Sequence, residues 1–185
     1  MKVIFLDIDG VLYPCFSRRT SCFHAEAVRS RLQNEGICLC EGISTEGITD
    51  WDLCSVVCGF QKAAVERLRR LCEQSNAKIV LETSWKCMRS LDEMKRLFSL
   101  WRLDSYIVDM TDNEEMFFKE GAIQRYLDAH PAVENYVILD DISMRKAFPG
   151  HDVVTPDILD EESYRQALHI LNHWTKELGH EHHLP

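Results

Sequence analysis

An apolar run at the start of the chain ends abruptly in two acids, and this feature constrains the fold more than any other. Residues Lys2 to Leu6 are rich in branched and aromatic side chains, and Asp7-Ile8-Asp9-Gly10 follows them directly. A short apolar run that stops at a turn is typical of a strand buried on both faces, as in a parallel sheet. Because acids interrupt the run and no small-residue cleavage site follows, we interpret it as a strand and not as a signal peptide.

Similar apolar runs recur along the chain and alternate with segments of helical periodicity. The strand candidates after the first are 78–81, 106–108, 136–139 and 152–154, and the helix candidates are 25–34, 62–73, 90–103, 120–130 and 161–178. This alternation predicts an α/β, Rossmann-like fold in which a parallel sheet carries helices on both faces. Ligands of such folds collect at the carboxyl ends of the strands, so we expect the functional residues there.

One stretch, residues 13–60, does not follow the alternation. Apart from its helix candidate it is rich in Cys, Gly and Thr, and it is too long for a simple loop. We predict a single domain over residues 1–185 in which 13–60 forms a small inserted cap. The candidate substrate contacts in this cap are Arg18, Arg19, Phe16, Phe23 and Trp51. The alternative is that the two arginines are solvated and that the aromatic side chains pack within the cap.

The eight cysteines are expected to be reduced thiols, because the chain carries no export signal. Four of them, Cys38, Cys40, Cys54 and Cys58, are candidates for a structural zinc site. Neither pair has the two-residue gap of the commonest zinc knuckle, and this spacing favours free thiols over zinc.

Two carboxylates stand at the end of the first strand. Alternate residues that leave a strand point the same way, so Asp7 and Asp9 can converge on one ligand, and Gly10 permits the tight backbone that follows. A turn rich in Asp and Gly has the same composition. The functional interpretation therefore depends on the other strand ends.

Complementary groups follow the second and fourth strands. Thr83 and Ser84 have hydroxyls and backbone amides suited to phosphate oxygens, although an ordinary helix cap uses the same residues. Asp140 and Asp141 are either ligands for a hard metal ion or solvated loop acids. Lys119, which precedes the helix before them, is either a cation of the site or a solvated surface charge. Together these residues are the parts needed for phosphoryl transfer through a covalent aspartyl intermediate.

The order of these groups resembles the four motifs of the haloacid dehalogenase superfamily over nearly the whole chain, with Val11 where Thr is common. More narrowly, residues 77–86 and 136–141 are similar to the branch found in Swiss Army Knife RNA repair proteins. The resemblance implies a phosphatase, because a dehalogenase needs neither the second acid nor a metal.

The resemblance also implies a role for each residue. Asp7 is the nucleophile and Asp9 the general acid and base. Mg²⁺ is held by Asp7, the Asp9 carbonyl and Asp140, with Asp141 nearby. Lys119 and Thr83 hold phosphoryl oxygens, and Thr83 is preferred over Ser84 as the hydroxyl of the second motif. Lys86 is a rival for the motif lysine but lies in the wrong segment.

The leading hypothesis is a phosphomonoesterase that acts on a small phosphorylated metabolite or nucleotide. The alternatives are a nucleic-acid end 3′-phosphatase and, from another class, a catalytically inactive interaction module. The net charge of −9 repels polyanions, so we expect nucleic acid as a partner only through a terminal phosphate. No apolar stretch approaches the ~18 residues that span a bilayer, and a cytoplasmic protein without membrane contact is expected.

Overall fold

A computed structural model describes residues 1–15, 24–34, 47–114 and 118–173 of the chain. Its strands are β1 (Lys2–Leu6), β2 (Ala77–Leu81), β3 (Ile107–Met110), β4 (Asn135–Asp140) and β5 (Asp152–Val154). Its α-helices are α1 (Ala25–Asn34), α2 (Asp50–Cys54), α3 (Lys62–Ser75), α4 (Leu91–Ser99), α5 (Lys119–Ala129) and α6 (Glu161–His173). Within the described residues no helix is both long and apolar enough to cross a membrane.

The five strands form one parallel sheet in the order β3-β2-β1-β4-β5. The chain moves outward from β1 through β2 to β3, and then returns to the other side of β1 for β4 and β5. The connections therefore diverge between β1 and β4, and such a point leaves a crevice at the carboxyl ends of the strands. Asp7 and Asp140 stand side by side there, because Leu6 pairs with Leu139 in the ladder.

Both faces of the sheet are covered, as predicted. On one face Ile4 and Leu6 belong to a large buried cluster that also contains residues of α3, α4 and α6. On the other face Val3 and Phe5 pack in a smaller cluster with residues of α5. Successive strand residues point to opposite faces, which explains why nearly every β1 side chain is apolar and buried.

The predicted elements are all present where the chain is described, with corrections at their ends. The predicted helix 90–103 is too long, because Ser90 is the N-cap and the helix ends at Ser99. A left-handed residue, Arg102 (φ 55°), follows that end and stops helical continuation. The third strand begins at Ile107, one residue later than predicted, because Tyr106 closes a short 3₁₀ turn. The last helix is described as far as His173.

Part of the predicted insertion, 13–60, packs into the main core. Tyr13 follows the first motif, and Leu53 and Val56 lie at the end of α2 and in the π-helical turn after it; all three are buried in the large cluster. Cys54 is buried and Cys58 is partly buried, whereas Cys38 and Cys40 lie outside the described residues, as do Arg18, Arg19, Phe16 and Phe23. The cap assignment and the zinc hypothesis stay predictions.

Candidate active site

Asp7 is the first residue after β1 and is almost completely buried, with 5% of its surface exposed. Its backbone N–H donates to the Leu139 carbonyl at 2.9 Å and so extends the ladder by one residue. Its Oδ1 accepts from the Ile8 amide at 2.7 Å, and its Oδ2 accepts from Lys119 Nζ at 2.7 Å. Burial raises the pKa of Asp7, and the Lys119 charge opposes that rise only in part.

Lys119 begins α5 and joins the ends of β1 and β4. Its Nζ donates to Asp140 Oδ2 at 2.6 Å as well as to Asp7. Burial alone would lower the pKa of Lys119, but the charges and hydrogen bonds of Asp7 and Asp140 outweigh it, so the pKa is raised. The amine is therefore a permanent cation placed between two acids.

Asp140 ends β4 and has only 1% of its surface exposed. Burial and the nearby charge of Asp7 raise its pKa to about 7, although Lys119 and the Ile142 amide, which donates to Oδ1 at 2.9 Å, act in the opposite direction. One lysine thus does not neutralise the two acids that it contacts.

A third carboxylate adds to this negative charge. Asp7, Asp140 and Asp141 each place one oxygen within 4.8 Å of the others. Gly10 makes the approach of Asp141 feasible: its φ is +74°, and an added Cβ would lie 2.5 Å from Asp141 Cβ. A compact set of carboxylate oxygens in excess of the local cations is the donor set that Mg²⁺ prefers, so these residues fit the expected metal.

The Asp9 carboxylate is not a member of that set. Its Oδ2 accepts a hydrogen bond from the Trp85 indole Nε1 at 3.0 Å. This position suits the predicted acid and base role, and the contribution of the Asp9 carbonyl to a metal stays a prediction. Sequence reasoning did not identify Trp85 as part of the site, and its place beside Thr83 and Ser84 was the only available signal.

Thr83 and Ser84 lie at the end of β2, where a 3₁₀ turn (Ser84–Met88) begins. Thr83 is buried, and its hydroxyl lies near enough to Asp7 to lower the pKa of that carboxylate slightly; it also accepts from the Trp85 amide at 3.4 Å. Ser84 is exposed. Both residues, together with Lys119, line a cavity of about 320 Å³ whose rim includes the exposed side chains of Phe118 and Ile142.

Lys86, the rival lysine, lies in a different cluster. Its Nζ donates to Glu82 Oε2 at 2.7 Å, to the Asp112 carbonyl at 2.8 Å and to the Thr111 hydroxyl. The pair joins the ends of β2 and β3, and its i,i+4 spacing was visible in the sequence. Lys119, not Lys86, therefore contacts the predicted nucleophile.

The fold and this arrangement of acids, hydroxyls and lysine define a domain of the haloacid dehalogenase type. The family model described as the HAD domain in Swiss Army Knife RNA repair proteins matches residues 3–159, and the chain belongs to this family. No curated protein matches the chain. The predicted family and the predicted fold class are confirmed.

Proposed function

We propose that the protein is a Mg²⁺-dependent phosphomonoesterase that acts through an aspartyl-phosphate intermediate. The observation that carries this proposal is the placement of Asp7, whose carboxylate accepts a hydrogen bond from Lys119 and lies beside the two further acids Asp140 and Asp141. A nucleophile in this setting has a cation and hydroxyl donors ready for the phosphoryl group that it attacks.

The reaction takes place in two displacements. In the first, an Asp7 carboxylate oxygen forms a bond to phosphorus while the bond to the ester oxygen breaks, and Asp9 gives its proton to that leaving oxygen. In the second, Asp9 takes a proton from water as the water oxygen attacks phosphorus, and the bond from phosphorus to Asp7 breaks. The products are an alcohol and inorganic phosphate, and both carboxylates return to their initial states.

Lys119 and the hydroxyls stabilise the charge of the transferring group. An ammonium group has three donors, and Lys119 uses two of them on Asp7 and Asp140. The third donor is directed to a phosphoryl oxygen, as are the hydroxyls and amides of Thr83 and Ser84. Asp7, Asp140 and Asp141 would hold Mg²⁺, and the ion would supply positive charge that offsets the phosphoryl oxygens.

The direct test is hydrolysis of an aryl phosphate with and without Mg²⁺ by the wild type and by Asp7→Asn. We expect Asp7→Asn to lower kcat by more than about a thousandfold, because no other nucleophile replaces the carboxylate. Asp128→Asn is the matched control, since this exposed acid lies near the far end of α5, roughly 13 Å from Lys119 along the helix axis. Hydrolysis that persists in Asp7→Asn, or no hydrolysis across a broad panel of phosphate esters, would contradict the proposal.

A nucleic-acid end 3′-phosphatase is the second candidate, and the family description, which refers to RNA repair proteins, favours it. The cavity of about 320 Å³ is of a size for one small group or one terminal nucleotide, so it does not separate the two substrates. Turnover of a 3′-phosphorylated oligonucleotide should be compared with that of the free nucleoside 3′-phosphate. Equal or better turnover of the free nucleotide would count against repair.

A further inference from the structure

A tryptophan donates a hydrogen bond to the carboxylate that the proposed function makes the general acid and base. The Trp85 indole Nε1 lies 3.0 Å from Asp9 Oδ2. We propose that Trp85 is a positioning residue that fixes the orientation of the Asp9 carboxylate for proton transfer. This inference rests on the proposed function.

The indole ring is held in place by aromatic neighbours. Its centroid lies 6.3 Å from the Tyr13 ring and 6.0 Å from the Phe60 ring, and both of these rings are buried. The Trp85 backbone is fixed as well, because its amide donates to Thr83 Oγ1. Packing of this kind restricts the side chain to one rotamer, so the N–H is already aimed at Asp9 before substrate binds.

A second set of contacts connects Trp85, through Arg89, to α2. The Arg89 guanidinium lies 5.1 Å from the Trp85 ring centroid and donates to the Trp85 carbonyl at 3.1 Å. Arg89 also forms an ion pair with Asp52 on α2, and Thr49 is the N-cap of that helix. The position of the Asp9 carboxylate therefore depends, through Trp85 and Arg89, on α2.

The chemical consequence concerns the two oxygens of Asp9. An indole N–H can donate but cannot accept, so it neither takes nor supplies the proton that is transferred. With Oδ2 bound to Trp85, Oδ1 is the oxygen that carries the proton to the ester oxygen and later receives one from water. A carboxylate free to rotate would spend part of its time with the proton misdirected, which lowers the rate of the protonation step.

The test uses the need of the leaving group for a proton. Nitrophenolate leaves readily as an anion, whereas an alkoxide does not, so loss of general acid catalysis acts mainly on alkyl phosphates. Trp85→Phe keeps a ring and removes the N–H. We expect it to lower kcat/KM for an alkyl phosphate about 10- to 100-fold and for p-nitrophenyl phosphate by less than about threefold. Equal losses on the two substrates would overturn the inference.

Trp101→Phe is the control, because it removes a buried indole N–H whose partner is the Val56 carbonyl and not Asp9. It should change kcat/KM for the two substrates by the same factor. A wild type that hydrolyses neither ester would contradict the proposed function, whereas hydrolysis of both with an unchanged ratio in Trp85→Phe would contradict only the role of Trp85.

The hydrogen bond is also tested without turnover. The chain has four tryptophans, and the ¹⁵N–¹H indole signal that disappears in Trp85→Phe belongs to Trp85. In Asp9→Asn that signal should shift more than the other three, because the charge of its acceptor is removed. A Trp85 signal that does not move would overturn the inference whatever the activity of the enzyme.

Discussion

Two lysines, Lys86 (buried) and Lys119 (partly buried), lie at the same edge of the sheet, and they differ in how their charge is balanced. Lys86 meets one carboxylate, Glu82, and places its remaining donors on the Thr111 hydroxyl and the Asp112 carbonyl. Lys119 donates to two carboxylates, Asp7 and Asp140, and a third carboxylate, Asp141, lies beside them. The exposed fraction of the side chain is 5% for Lys86 and 21% for Lys119.

This difference indicates that the Lys86–Glu82 pair is structural and that the group around Lys119 belongs to the proposed active site. The side chains of Lys86 and Glu82 are almost fully buried, and the Lys86 donors are used in hydrogen bonds within the protein. The group around Lys119 has excess negative charge and is more open to solvent, although both lysines line the cavity of about 320 Å³. Groups whose pKa values are shifted by burial and by like charges are typical of functional sites: burial raises the pKa of both Asp7 and Asp140, and the Asp7 charge adds to the rise at Asp140.

Replacing each lysine by Met should give opposite outcomes and is the largest test of this comparison. Lys86→Met leaves the Glu82 carboxylate buried without its cation, so we expect the free energy of unfolding to fall by about 3–5 kcal/mol. Chemical denaturation measures this loss. The double variant Glu82→Leu/Lys86→Met, which removes both charges, should recover much of it.

Lys119→Met should instead cost activity. Loss of one preorganised charge donor lowers kcat about 10²- to 10³-fold, whereas stability changes less than in Lys86→Met, since Asp140 takes up a proton in place of the lost cation. If Lys86→Met lowers kcat per folded molecule as much as Lys119→Met does, the assignment of the two lysines is wrong.

The place of Lys119 along the chain predicted that this lysine, and not Lys86, lies beside Asp7, and the structure has that contact. The alternation of strands and helices predicted the parallel sheet, and a residue at the start of the helix before β4 must lie near the carboxyl end of that strand. Periodicity and the order of motifs therefore sufficed for Asp7, Lys119 and Asp140.

The contact of Trp85 with Asp9 and those of Lys86 with Thr111 and Asp112 were beyond prediction from the sequence for a physical reason. Both residues lie in a short 3₁₀ turn with no apolar period, and their partners are distant in the chain. Asp9 is 76 positions from Trp85, and Asp112 is 26 positions from Lys86. Side-chain direction in such a turn depends on tertiary packing, which residue types alone do not specify.

Mg²⁺ should distinguish the two charge groups by binding to only one. We expect it to raise the melting temperature, with a stabilisation of about 2.7 kcal/mol when free Mg²⁺ exceeds Kd a hundredfold. Asp140→Asn should remove most of this shift, because it removes one of the three carboxylates. Glu82→Gln should lower the starting stability and leave the shift unchanged. Differential scanning calorimetry with a Mg²⁺ titration measures both, and an unchanged shift in Asp140→Asn would refute the site.

The smallest expected effect is on the pH dependence of stability in the metal-free protein, measured in EDTA. Asp140 has a pKa of about 7 in the folded protein against 3.8 for the unperturbed group. Between these values the folded state binds more protons than the unfolded chain, so the free energy of unfolding falls as pH rises from about 4 to 7. Asp7, whose pKa is also raised, acts in the same direction.

Other titrating groups must be separated from this effect. Burial lowers the pKa of His151, so its contribution rises with pH up to the unfolded value of about 6.5 and opposes the trend. Asp112, whose pKa Arg125 lowers to about 2, loses its contribution only as pH falls below 3.8. The raised pKa of Lys119 matters only above 10.5.

The difference between the wild type and Asp140→Asn therefore isolates the Asp140 group. We expect the free energy of unfolding to fall by about 1–3 kcal/mol less in Asp140→Asn than in the wild type between pH 4 and 7. A pH dependence that is the same in Asp140→Asn and in the wild type would contradict the excess negative charge assigned to the Lys119 group.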